Sequence, residues 1–327
     1  MKSIFYLTVF CLTYFFSFSQ TPVADNEFNF QSIYRIKNVK TQKAMEAEDG
    51  AFEKGTKVQQ FFSYSRNGFV DGHNQEWLII PAGKREGGFV FYIINNGFLK
   101  YLDAMVPLSV NEGVDADNQL WVFEKIGQNW LIKSFSSRQY VEIPEGNIKD
   151  GDRFQLAAFT GNANQQFNLI STGATVPPSL RGPWLNITTS YAGTKAIDAS
   201  GAAETDGEPL KINELRNGET KQQWQISLSP GYYELKPRNA PTKCAEILDF
   251  STQDSDPAGC WTCVNGTNQK WIIVPVARES GKYIFFNRNS GKCLTVQGGN
   301  STQNGTKIVQ YTFANKDNSK WKISPAR

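Results

Sequence analysis

The chain has 327 residues, and its 34 Lys and Arg stand against 31 Asp and Glu, a formal charge of +3. That near balance excludes a nucleic-acid stripe or a polybasic membrane patch as the basis of function. Aromatic residues at 13%, plentiful Gly and no long amphipathic helical pattern describe an all-β protein rich in turns, long enough for two domains that each bury a core.

The first element is "MKSIFYLTVFCLTYFFSFSQ", in which Lys2 precedes an apolar run and small residues follow at Ser17 and Ser19. It predicts a secretory signal peptide over 1–19 and an exported chain. The run is short for a membrane anchor, and no stop-transfer charges follow it. Cys11 follows Val9 and Phe10 rather than small residues, so it is no lipoprotein site. No other segment is apolar for long enough to span a bilayer.

From there a short pattern returns six times. A Gln-x-aromatic triplet ends at Trp77, Trp121, Phe167, Trp224, Trp271 and Trp321, the last copy carrying Ser319 in place of Gln. The anchor positions 75, 119, 165, 222, 269 and 319 are 44, 46, 57, 47 and 50 residues apart. The long step contains "STGATVPPSLRGP" (171–183), which reads as a linker, so the repeats group three and three.

Each repeat opens with a β-like run: "IYRIKN" (33–38), "FVFYIIN" (89–95), "WLIKS" (130–134), "WLNITT" (184–189), "YYELKP" (232–237) and "YIFFNR" (283–288). A second run follows: "KAMEA" (43–47), "KYLDA" (100–104), "QYVEI" (139–143), "KAIDA" (195–199), "KCAEI" (243–247) and "KCLTV" (292–296). A turn, a third strand such as "GTKVQQF" (55–61), and a polar loop then lead into the triplet. Six propeller blades of this length would close into one ring and leave the Pro177-Pro178 linker without a purpose. Two threefold units, each a small barrel with a hairpin cap, account for it: tandem β-trefoils with three triplets each.

Aromatics at threefold-related positions belong in a shared core, and a neighbouring Gln satisfies loop backbone groups. Four cysteines remain after the leader, Cys244, Cys260, Cys263 and Cys293, and export favours disulfides among them. Three pairings are open. Cys260-Trp261-Thr262-Cys263 lacks the second CxxC or the nearby His of a zinc site.

Three Gln-x-Trp triplets per domain, each after a "GxxxNQ"-like loop, resemble the ricin B-type lectin family. The likeness spans about 27–172 and 180–327 and divides the chain into a leader at 1–19, a trefoil at 27–172, a linker at 173–183 and a trefoil at 184–327. It implies shallow saccharide sites, each with an acid in the second strand, a Gln and an aromatic in the third, and the Asn before the triplet. In the first repeat these fall on Glu46, Gln59, Phe61, Asn74 and Gln75, with Glu where the family has Asp. The fifth repeat offers Glu246, Trp261, Asn268 and Gln269, with Gly259 in place of the strand Gln. The sixth offers Tyr311 and Asn318, but Thr295 replaces the acid.

The second repeat (Asp103, Asn118, Gln119) has no aromatic, the third (Glu142, Gln155, Asn164) has Ala157 at the ring position, and the fourth (Asp198) has Asn213 and Lys221. All three read as structural. The resemblance also implies a Cys244–Cys263 disulfide and leaves Cys260 and Cys293 unassigned.

Catalysis finds no support. His73 is the only histidine, and no nucleophile elbow accompanies it. The loops "VDADNQ" (114–119) and "DSDPAG" (254–259) do not follow EF-hand spacing, and sequons occur at Asn186, Asn265, Asn300 and Asn304. The expectation is a secreted, cofactor-free, non-catalytic protein that binds galactosyl or other glycans through several weak sites acting by avidity, without nucleic acid or membrane insertion. The alternative is a sugar-silent trefoil serving protein interaction or adhesion. Oligomeric state is not legible.

Overall fold

The computed structural model describes residues 27–48, 53–63, 72–172, 180, 184–202, 205–229 and 231–326. The segment expected as a leader lies outside them, as does the expected linker apart from Leu180, which is buried in the second core.

Six antiparallel strands close a first ring: Tyr34–Asn38, Trp77–Arg85, Gly88–Asn95, Trp121–Ile126, Asn129–Ser134 and Phe167–Ser171. A second ring closes in the same order from Leu185–Thr189, Gln223–Ser229, Tyr232–Pro237, Trp271–Pro275, Lys282–Asn287 and Trp321–Pro325. The remaining strands pair as three hairpins under each ring, such as Ala44–Ala47 with Thr56–Phe61 and Lys243–Ile247 with Ala258–Thr262. A six-stranded barrel with three capping hairpins, twice over, is the tandem β-trefoil that the repeats predict. The observed strands match the expected runs to within a residue or two. In the fourth repeat the third strand is broken into Glu208–Pro209 and Lys211–Glu214.

The triplet aromatic opens the fourth strand of five repeats and is second in that of the fourth repeat, and it pairs with the first strands on both sides. Trp271 lies opposite Tyr233 and Asn287, and Trp77 opposite Tyr34 and Asn95. All six aromatics are fully buried. Each of the five indoles also donates Nε1–H to a carbonyl of its own repeat's second strand, those of Met45, Leu102, Ile197, Ala245 and Leu294, at 2.9–3.1 Å. An asparagine ending a first strand reaches into the preceding repeat. Asn38, Asn95 and Asn287 donate Nδ2–H to the carbonyls of Asn164, Asn74 and Asn268 at 2.8, 2.8 and 2.7 Å. The loops ahead of the triplets are thus held by the strand that follows.

The second ring keeps a core of its own around Trp224, Trp271 and Trp321, but others of its apolar side chains are shared with the first ring. Tyr232, Ile272, Val274, Ile284, Phe286 and Phe313 of the second ring belong to one apolar cluster with the first ring's residues. The reason is visible in Gly88–Asn95: Phe91 faces the ring interior against Phe28 and Phe123, while Tyr92 on the other face lies against Gly291. Phe30 packs against Tyr232 across the junction, ring centroids 5.4 Å apart and tilted by 34°. Backbones approach so closely that a Cβ on Gly113 would stand 2.2 Å from the Phe313 carbonyl oxygen, and one on Gly83 2.8 Å from that of Asn289. Lys292, buried, bridges Asp115 of the first ring and Asp254 of the second at 2.7 Å each.

The Cys244–Cys263 disulfide is present, and Cys260 and Cys293 are buried free thiols. The formal CxxC is therefore split between a disulfide and a core position. Asn186 is buried, with its amide donated to the Gln222 carbonyl at 2.9 Å, so that sequon is closed to a glycan.

Candidate functional site

Every acid of the second strands is buried: Glu46, Asp103, Glu142, Asp198 and Glu246. Each accepts a hydrogen bond from the triplet Gln of its repeat, at 2.9, 3.2, 2.9, 3.0 and 2.7 Å respectively. The same amide also donates to a carbonyl at the end of the third strand or just past it, those of Phe62, Glu112, Ala158, Glu214 and Thr262. In four repeats its oxygen accepts from the following loop, at the N–H of Val114, Thr160, Arg216 and Val264. The Gln is thus a clamp joining hairpin, loop and barrel, and the acid is its anchor. In the sixth repeat both partners have changed together, and Thr295 Oγ1 lies 2.9 Å from Ser319 Oγ.

In the first repeat Glu46 is fully engaged. Gln59 donates to one oxygen at 2.8 Å, while Gln75 and Asn74 donate to the other at 2.9 and 3.2 Å. Phe61 stands opposite Ala44, two positions along the hairpin, half-buried against Phe62. Beside the cradle's Asn74, His73 places its Nδ1 2.6 Å from Glu76 Oε2.

The third repeat, read above as structural, has the same cradle. Gln155, Asn164 and Gln165 donate to Glu142 at 2.9, 3.3 and 2.9 Å. Across from Ala157 stands Tyr140, which is buried and donates its hydroxyl to Glu124 Oε2 at 2.8 Å; the exposed ring of this repeat is Phe159, packed on Tyr140 at 5.2 Å.

The fifth repeat differs. Gly259 faces Glu246 across the hairpin, and a Cβ there would meet Leu248 Cδ2 at 2.7 Å, so Leu248 fills the space of the missing Gln. Burial pushes the Glu246 carboxyl above its usual range; the Gln269 hydrogen bond opposes the shift, and Asp206 and Asp249 add to it. Asn268 donates to the Ile247 carbonyl at 2.9 Å. Trp261 is 40% exposed, paired with Cys244 beside the disulfide. Its strand end is pinned by Asp206, which accepts the Thr262 N–H at 2.7 Å and pairs with Lys243.

Tyr311 in the sixth repeat is 45% exposed on a concavity of about 250 Å³ shared with Thr295, Asn318 and Ser319. The fourth has a concavity of about 240 Å³ with Asp198, Arg216 and Lys221 and no ring. In the second, Asp103 is taken by Asn111, Asn118 and Gln119.

The family profile for the ricin-type beta-trefoil lectin domain-like sequences matches residues 117–213, 220–311 and 267–327, more than half of the chain. The chain belongs to that family. Among solved structures it is similar to the designed three-fold symmetric protein ThreeFoil, at 30% identity over 43% of this chain and 96% of that one, with a TM-score of 0.40. It is similar to a mosquitocidal holotoxin at 19% identity over 90% of this chain, with a TM-score of 0.43, and spans 34% of that toxin. It is also similar to the Macrolepiota procera ricin B-like lectin in complex with lactose, at 19% identity over 44% of this chain and 96% of that one, with a TM-score of 0.38. No curated protein matches.

Within this ricin-type chain the acid and the triplet Gln behave as one unit, lost together where they are lost. Thr295→Glu alone is expected to destabilise by about 1–3 kcal/mol, because a buried carboxylate gains no amide partner. Adding Ser319→Gln is expected to recover most of that, and a double-mutant cycle by urea unfolding measures the coupling.

Proposed function

We propose that this chain is an exported, non-catalytic lectin, two trefoils over 27–172 and 184–327 joined at 173–183, that binds galactosyl or other glycans with the fifth repeat as its principal site. The observation that carries the reading is Trp261, a large ring left 40% exposed at the end of a pinned strand, in the repeat of Glu246 and Asn268. An exposed indole offers a face for the C–H patch of a pyranose, while amide and carboxyl groups take hydroxyls. A glycan array on residues 20–327, with lactose as the first soluble probe, tests it. Binding lost in Trp261→Ala supports the fifth repeat, and binding lost in Phe61→Ala moves the site to the first.

The internal bonding of Glu46 and Glu142 favours a second reading, in which the cradles serve folding alone and the trefoils bind a protein partner. Silence across a broad array from folded protein would establish that reading and end the first.

The raised Glu246 carboxyl has a pH consequence. The folded state holds that proton more tightly than the unfolded chain, so its contribution to stability is present at acidic pH and lost as pH rises through the folded value. Glu246→Gln, whose carbonyl still accepts from Gln269, is expected to raise the thermal midpoint at pH 7 relative to wild type. The difference should vanish below about pH 4, where the unfolded carboxyl is itself protonated.

A further inference from the structure

The seam between the rings holds a cleft of about 440 Å³ that belongs to no repeat cradle. Its first-ring wall is the bulged hairpin where the register between Trp77–Arg85 and Gly88–Asn95 shifts, carrying Lys84, Arg85 and Phe89. Its second-ring wall carries Phe250, Arg288 and Asn289. Three cations line the cleft and no carboxylate does. Glu86, the acid nearest in sequence to the first-ring pair, is taken by Arg138. Neither Lys84 nor Arg85 has a carboxylate partner among the described residues.

The cations sit beside rings: Lys84 Nζ is 4.8 Å from the Phe89 centroid, and Phe250 is 54% exposed. The walls are fixed rather than loose. Asn289 Nδ2 donates to the Phe250 carbonyl at 2.9 Å, Thr267 Oγ1 lies 3.1 Å from Asn289 Oδ1, and Gly83 abuts the Asn289 backbone. Thr267 immediately precedes Asn268, so the cleft adjoins the loop of the fifth repeat.

We propose that this cleft is an acidic-saccharide subsite, in which Lys84 and Arg85 take the carboxylate or sulfate of a sugar unit and the two phenylalanines cover its apolar face, Arg288 being held over the Tyr232 ring on the opposite wall. Charge-assisted hydrogen bonds from guanidinium and ammonium groups suit both anions, and aromatic faces suit a pyranose better than a bare phosphate or an inorganic ion. The proposal rests on the lectin reading for the sugar and on Lys84 and Arg85 for the charge. It gives the chain a preference for acidic glycans that the repeat cradles, built of amides and carboxylates, do not supply.

The test is binding of a heparin hexasaccharide, a hexagalacturonate and neutral maltohexaose to residues 20–327 by calorimetry, at low and at 0.5 M salt. At least one acidic probe is expected to bind, weakening with salt, while maltohexaose does not. Lys84→Gln/Arg85→Gln is expected to weaken that binding by about tenfold or more with an unchanged thermal midpoint, Lys84→Arg/Arg85→Lys to retain it, and the surface control Lys322→Gln to leave it as in wild type. The probe preferred identifies sulfate or carboxylate. No binding of either acidic probe, or an equal loss in Lys322→Gln, overturns the subsite. The lectin reading fails separately, on the array and Trp261→Ala, because the Lys84→Gln/Arg85→Gln protein keeps its fifth-repeat cradle.

Discussion

Replacing Trp271 by Ala is expected to cost about 3–5 kcal/mol, whereas the same change ten positions earlier, at Trp261, is expected to cost less than about 1 kcal/mol and to abolish glycan binding at the fifth repeat. Trp271 is fully buried, lies between Tyr233 and Asn287, and satisfies the Ala245 carbonyl at 3.0 Å. Its loss leaves a cavity and an orphaned carbonyl together. Trp261 lies at a strand end that is already held by the disulfide and by Asp206, so little of the fold depends on its ring. Urea unfolding followed by circular dichroism separates the two. If Trp261→Ala unfolds as readily as Trp271→Ala, the ring is a structural element and the fifth repeat loses its claim as a sugar site.

The second large effect is expected at Lys292. Its ammonium is buried between Asp115 and Asp254 and lies 3.3 Å from Thr312 Oγ1. Asp254 also accepts the Thr312 N–H and hydroxyl, so it is fixed in place when the lysine is removed. Lys292→Ala therefore removes the buried cation and leaves two partly solvated carboxylates, Asp115 and Asp254, side by side without it, a loss of about 1–3 kcal/mol. The cost comes from the unshared charges and the lost hydrogen bonds together. A triple variant, Lys292→Met with Asp115→Asn and Asp254→Asn, is accordingly expected to regain most of the stability. Failure of the triple variant to recover would mean that packing of the lysine stem, not charge, holds the seam.

Much of this was legible because it is periodic. Six triplets at near-regular steps specify both the barrel aromatics and the amides that brace the loops, and the family likeness supplied the Cys244–Cys263 pairing. What stayed hidden depends on partners far apart in sequence or on the opposite strand. In the third repeat, that Ala157 stands opposite the buried Tyr140 with the exposed Phe159 packed on it is visible only in the register. The substitution of Leu248 for a strand Gln is likewise a matter of space around Gly259. The junction of the two rings was wholly illegible: a Pro-Pro segment reads as a spacer, yet Lys292 meets an acid 177 residues away. His73 finds its partner Glu76 three residues along, at one short turn.

The five indole N–H groups bonded to second-strand carbonyls have a consequence for watching the molecule in solution. Those protons are shut away in separate repeats, so each exchanges with deuterium only when its own repeat opens. The chain has eight tryptophans, and the indoles of Trp130, Trp184 and Trp261 are not held in this way. Indole resonances in an exchange experiment therefore divide into five slow clocks and three fast ones. The slow set times the opening of five of the six repeats one at a time, without any label having been introduced.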